Sequence, residues 1–127
     1  MIEIRPAYTS YEREEYSDAC GYDCDQNQQL VACFDGGMYK GCSLYTVNDG
    51  VAVIQELGFL PGYYDETARI LLIKGTLNVI DIKGTKDVIY TAKDKQLALK
   101  AGFKEQDGVL KINLEGYFED PCKKCKE

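Results

Sequence analysis

The chain has 127 residues, 15 Lys and Arg against 21 Asp and Glu, a net charge of −6, and neither histidine nor tryptophan. Without an imidazole every catalytic unit built on one is excluded, so acid and base work falls to Asp, Glu, Tyr, Lys, Cys or water. The acidic balance opposes non-specific binding to nucleic acid or anionic lipid, and no apolar run reaches the length of a bilayer span.

Length and a 45% hydrophobic share point to one globular domain over residues 1–127. The opening Met1-Ile2-Glu3-Ile4-Arg5-Pro6 has no basic segment ahead of an apolar run, so no secretory signal is expected and the expected compartment is the cytoplasm. Charge is unevenly spread. Through Glu66 there are 12 acidic and 3 basic residues, and from Thr67 onward 9 acidic and 12 basic. An acidic half suits a cationic amine and a basic half an anionic ligand, if the fold sets them on two sides of one cleft.

Met1 to Arg5 alternates as a short strand ended by Pro6, and Thr9 to Asp18 reads as a polar surface helix capped by Thr9 or Ser10. A connector rich in Asp and Gln, holding Cys20 and Cys24, runs to Gln29. Gln29 to Asp35, Met38 to Val47 and Val51 to Phe59 follow as strands. The turns Gly36-Gly37 and Asn48-Asp49-Gly50 join them into an antiparallel meander. Strict alternation along the third of these puts Val51, Val53, Gln55, Leu57 and Phe59 on one face and Ala52, Ile54, Glu56 and Gly58 on the other.

Leu60-Pro61-Gly62 breaks that strand, and Asp65 caps a helix through Ile82. Its apolar residues form two stripes, one with Ala68, Leu71, Leu72, Gly75 and Val79, the other with Ile70, Ile73, Leu77 and Ile80. Gly75 inside it points to close packing against another backbone. Gly84 ends the helix. Lys86 to Thr91 is a strand parallel to Val51–Phe59 through a right-handed crossover. Lys93 to Ala101 is a helix ended by Gly102, Gly108 to Leu114 a last strand, and Leu114 to Asp120 one helical turn. The fold class is α/β, with a mixed sheet built from a meander, a strand-helix-strand crossover and a helix-strand unit.

This order, with Ile54-Gln55-Glu56-Leu57-Gly58-Phe59 as a fourth strand and the helix ending Leu97-Ala98-Leu99-Lys100-Ala101-Gly102-Phe103-Lys104-Glu105, resembles the GNAT acetyltransferase superfamily over nearly the whole chain. The resemblance implies that acetyl-CoA lies where the fourth and fifth strands part. It would meet Leu57, Gly58 and Phe59, then Tyr63, Tyr64, Thr67 and Ala68 in the following turn, then Lys93 and Lys100. It implies Glu56 as the base that deprotonates the acceptor amine through water. The implied ligands are a small-molecule amine and an acyl-CoA; no nucleic acid or membrane is expected, and a homodimer is compatible with the resemblance.

The chain departs from the family at three places. In the family's phosphate loop, Gln/Arg-x-x-Gly-x-Gly/Ala, Tyr63 takes the Gln/Arg position and Glu66 the glycine, and only Ala68 fits. Ala98 stands at the family's acid tyrosine, for which Tyr63, Tyr64 and Tyr90 are candidate replacements. Thr91-Ala92-Lys93-Asp94 lacks the asparagine often found there. A second reading is therefore a protein that keeps the scaffold as a binding module without catalysis. The third reading is a small module whose Cys20, Cys24, Cys122 and Cys125 hold zinc. Against it, thiols in a reduced compartment are metal-free by default, with Cys33 and Cys42 as small core residues, so no zinc is expected.

Overall fold

Leu30 to Phe34 are buried on both sides of their strand, and this divides the molecule into two packing layers. Val31 and Cys33 join the main core, whereas Leu30, Ala32 and Phe34 join a smaller one. A computed structural model describes residues 1–118. Its elements are β1 (Ile2–Pro6), α1 (Ser10–Ala19), β2 (Gln29–Asp35), β3 (Met38–Asn48), β4 (Val51–Phe59), α2 (Glu66–Ile82), β5 (Asp87–Tyr90), α3 (Lys95–Ala101), β6 (Lys104–Gln106) and β7 (Val109–Asn113). The strands form one sheet in the order β1-β2-β3-β4-β5-β7-β6. Every neighbouring pair is antiparallel except β4 and β5.

The two hairpin turns of the meander fall where glycine permits positive φ, at Gly36-Gly37 (+61° and +82°) and Asp49-Gly50 (+51° and +77°). The helices cap as their sequences dictate. Thr9 accepts from the Glu12 N–H at 3.1 Å, Asp65 from the Ala68 N–H at 2.9 Å and Asp94 from the Leu97 N–H at 3.1 Å. Each such cap contributes about 1 kcal/mol. The main core lies between one sheet face and α2 with α3, and α1 packs with the smaller cluster on the opposite face. Leu72, Ile73, Leu77 and Ile80 are fully buried, each contributing about 1.5–3 kcal/mol.

Several expectations are corrected. Leu71 is 38% exposed, whereas Thr76, which belongs to neither apolar stripe, is fully buried. Its hydroxyl is satisfied by the Leu72 carbonyl at 2.8 Å and by Ser43 at 2.6 Å, so burial leaves no orphan. Gly75 is crowded by the side chain of Ile4 on β1 rather than by another backbone. The third helix begins at Lys95, because Asp94 is its cap. The strand after it is a hairpin, β6 and β7 joined at Asp107-Gly108. Residues 115–118 form a turn, with the Tyr117 N–H bonded to the Leu114 carbonyl.

Candidate active site

β4 and β5 pair only from Val51↔Asp87 to Ile54↔Tyr90, and the Thr91 N–H to Ile54 carbonyl bond of 2.9 Å is the last rung. β4 continues to Phe59 on β3 alone. A bulge sits at the point of parting: Tyr45 pairs with Ile54 and Leu44 with Glu56, so Gln55 is the extra residue. The Leu60 N–H bonds to the Lys40 carbonyl on the β3 side at 2.7 Å. Backbone polarity alternates along a strand, so Leu57 and Phe59 turn their N–H and C=O groups to the other side, into the opening. Among the described residues no backbone bond crosses the opening beyond Thr91.

The bulge also overturns the expected faces. Past Gln55 the alternation shifts by one, so Leu57 and Phe59 pack against the main core with Ala52 and Ile54. Glu56 and Gly58 lie on the opposite face, opposite Leu44 and Cys42 of the smaller core. The α1–β2 connector covers that face. Gln28 donates to the Gln55 side-chain carbonyl at 2.6 Å, and Gln55 donates to Thr46 at 3.2 Å, which ties the connector to the bulge. The Tyr22 hydroxyl lies directly over Gly58, where a Cβ would strike it. Burial, then the Glu56 carboxylate, raises the Tyr22 pKa. Glu56 itself is half-buried.

The turn that follows is a groove of about 500 Å³ between residues 59–66, Arg69 and Asp94. Three carboxylates face one guanidinium there, and all are engaged. Asp65 occupies the Ala68 N–H, Asp94 occupies the Leu97 N–H, and Arg69 is paired with both Glu66 and Asp94. The Arg69–Asp94 pair joins the start of α2 to the cap of α3. Tyr63 donates its hydroxyl to Asp35 at 2.9 Å, Tyr64 is 91% exposed, and Thr67 is exposed on the first turn of α2. Lys93 and Lys100 are exposed and do not line the groove; the Lys100 ammonium lies 3.9 Å from Glu66.

Tyr90 is the last residue of β5 to pair with β4, and its ring packs in the main core against Phe103. It is 3% exposed, and its hydroxyl has no hydrogen-bond partner among the described residues. Burial pushes its pKa up to about 12, opposed by Arg69 and aided by Glu56. Ala98, at the position of the family's acid, is fully buried core.

Two of the four cysteines of the zinc reading, Cys20 and Cys24, lie at the end of α1 and in the connector that follows it. Cys122 and Cys125 lie outside the described residues. The Cys20 sulfur lies 3.3 Å from the Tyr39 hydroxyl on β3 and 3.9 Å from the Gly58 carbonyl on β4. No cluster of three or more His, Cys, Asp or Glu fit to hold a metal occurs among the described residues. Sequence reasoning missed the Gln28–Gln55 link, the Arg69–Asp94 pair and the Cys20–Tyr39 contact. Each joins segments distant in the chain, and none carries a local signal.

No family model and no curated protein matches the chain. Solved structures do. A GNAT family acetyltransferase from Brucella melitensis in complex with acetyl-CoA superposes with a TM-score of 0.67 at 13% identity, over 89% of this chain and 88% of that one. One from Elizabethkingia anophelis with acetyl-CoA bound gives 0.62 at 14% identity, over 89% and 98%. The PaiA N-acetyltransferase from Thermoplasma acidophilum in complex with coenzyme A gives 0.62 at 13% identity, over 88% and 97%. With the parted parallel strands and the bulge on β4, these likenesses establish that the protein has the fold of the GNAT acetyltransferases.

Proposed function

We propose that the chain takes an acyl-coenzyme A thioester, acetyl-CoA in the first instance, into the β4–β5 opening and passes the acetyl group to an amine. The observation that carries this reading is the backbone of Leu57 and Phe59, unpaired among the described residues, since amide groups left without partners seek them and the amide-rich pantetheine arm supplies them. Acetyl-CoA brings an activated thioester, and the chain supplies position and proton transfer. Glu56, on the face covered by the α1–β2 connector, accepts the ammonium proton through water and leaves a nucleophilic amine. Tyr90 is the best placed of the three candidate acids. Tyr63 is committed to Asp35 and Tyr64 stands in solvent, whereas the Tyr90 hydroxyl has no partner among the described residues, and it stays protonated at neutral pH to meet the departing thiolate.

The two ends of the coenzyme are not served alike. The opening fits the pantetheine arm. The groove at the start of α2 does not fit a diphosphate as it stands, because Asp65 already holds an N-terminal N–H and Arg69 is shared by two carboxylates. This favours weak grip on the nucleotide end, and it is the observation behind a second reading, a scaffold that binds an acyl-CoA without catalysis.

A thermal-shift titration tests the first step. Ligand at 100 times its dissociation constant stabilises a fold by about 2.7 kcal/mol, a rise in Tm of several degrees for a domain of this size. No rise with millimolar acetyl-CoA sinks both readings. A rise without release of free coenzyme A over a panel of primary amines leaves the binding module.

A further inference from the structure

Outside the opening, a pair of cysteines among the described residues lies where α1 ends on β3. Cys20 caps the C-terminus of α1, its N–H bonded to the Ser17 carbonyl at 3.1 Å, and is half-buried. Its sulfur lies 3.9 Å from the Gly58 carbonyl, and Gly58 pairs across the β3–β4 ladder with Cys42, which is fully buried and belongs to the same side-chain cluster as Cys20. The Tyr39 hydroxyl, stacked on Tyr16 at 4.4 Å, sits 3.3 Å from the same sulfur. Two thiols in one side-chain cluster, one half-buried and one fully buried behind it, are the arrangement of an attacking and a resolving cysteine.

We propose that Cys20 and Cys42 form an oxidation site in which a small hydroperoxide converts the dithiol to a disulfide linking α1 to β3. The Cys20 thiolate attacks the outer peroxide oxygen; the S–O bond forms, the O–O bond breaks, and the leaving alkoxide or hydroxide takes a proton. Cys20 is then a sulfenic acid. The Cys42 sulfur attacks it, the S–S bond forms and the S–O bond breaks. The departing hydroxide leaves as water with the Cys42 proton. Two thiols lose two electrons together, and the hydroperoxide is reduced to an alcohol or water, plus water.

The local electrostatics order the two steps. The hydrogen bond from Cys42, opposed by burial and aided by Tyr39, brings the Cys20 thiol down to about 7. Cys42 is pushed far up, first by donating that hydrogen bond, then by burial and the Cys20 charge. Cys20 is therefore the nucleophile at neutral pH and Cys42 is inert. Oxidation of Cys20 removes the thiolate that suppressed Cys42, which frees the second thiol to react. Among the described residues Cys24 has no such thiol partner: burial raises its pKa, and its sulfur lies 3.6 Å from the Asp25 carbonyl.

The test treats the folded full chain with stepwise hydrogen peroxide, alkylates the remaining thiols and maps the peptides by mass. The expected product is a Cys20–Cys42 cross-link, lighter than the two thiols by two hydrogen atoms, formed before Cys24 or Cys33 changes and reversed by dithiothreitol. In Cys42→Ala, oxidation is expected to stop at a Cys20 sulfenic acid that dimedone traps. If Cys42→Ala fails to fold, the cross-link in the unaltered chain decides alone. A link between Cys20 and Cys24, or oxidation confined to Cys122 and Cys125 with Cys20 still alkylatable, overturns the proposal. The outcome is independent of whether acetyl-CoA binds.

Discussion

Gln55–Phe59 and Asp65–Arg69 lie a few residues apart and hold their polar groups in opposite states. In the first, β5 has turned away, and the backbone of Leu57 and Phe59 faces the opening with nothing across it among the described residues. In the second, Asp65 is on a helix N–H and Arg69 is in ion pairs with Glu66 and Asp94. The first depends on where strands pair and on one bulged residue, so many side chains are compatible with it. The second depends on which side chains occupy one helical turn, and a carboxylate there changes a site for anions into a site already filled. Backbone geometry and side-chain chemistry thus part company within one site, and binding energy is expected to concentrate on the pantetheine end.

The largest effect belongs to Glu56. Glu56→Gln is expected to lower kcat/KM by about 10²-fold or more, with acetyl-CoA affinity and Tm unchanged; equal turnover in steady-state assays breaks the assignment of the open strand as catalytic. Next comes the support beneath that strand. A Cβ on Gly41 would strike the Gly58 carbonyl and Phe59, so Gly41→Val is expected to cost about 1–3 kcal/mol in urea unfolding and to weaken acetyl-CoA binding.

Asp65→Ala sharpens the contrast, because its two effects run in opposite directions. Loss of the cap is expected to cost about 1 kcal/mol of stability, while removal of the carboxylate and release of the Ala68 N–H tighten acetyl-CoA binding severalfold by calorimetry. Loss of affinity instead would mean that Asp65 serves the ligand. The smallest effect is a shift in a pH profile. The Cys20 pKa is lowered, so its thiolate is present above about pH 7 and lost below it. Iodoacetamide labelling of Cys20 is expected to be half-maximal near pH 7, whereas Cys24 labels only at higher pH.

Much of this architecture was legible in the residues. Gln29–Asp35 and Val51–Phe59 have the bounds that their turn residues announce, and Asp65 caps α2 as its position before an apolar run suggests. What was hidden depends on partners. The bulge at Gln55 arises from pairing with β3 and leaves no mark on β4, so strict alternation placed Leu57 and Phe59 on the wrong side. β6 is the exposed run Lys104-Glu105-Gln106, with no apolar face to betray a strand. The charge halves promised a basic wall for an anionic ligand. Yet the groove is lined by Asp65, Glu66, Asp94 and Arg69, and among the described residues no lysine of the second half lines it, although Lys100 comes within 3.9 Å of Glu66. Fold was readable because it rests on period and turns; the filled anion site was not, because the Arg69–Asp94 pair joins residues far apart in the chain.

Amide chemical shifts measured during an acetyl-CoA titration test the central claim most directly. The account predicts that the largest perturbations fall on the amides of Leu57, Gly58 and Phe59, with small changes at Glu66 to Arg69. Perturbations confined to the start of α2, or none in either stretch at saturating acetyl-CoA, would contradict it.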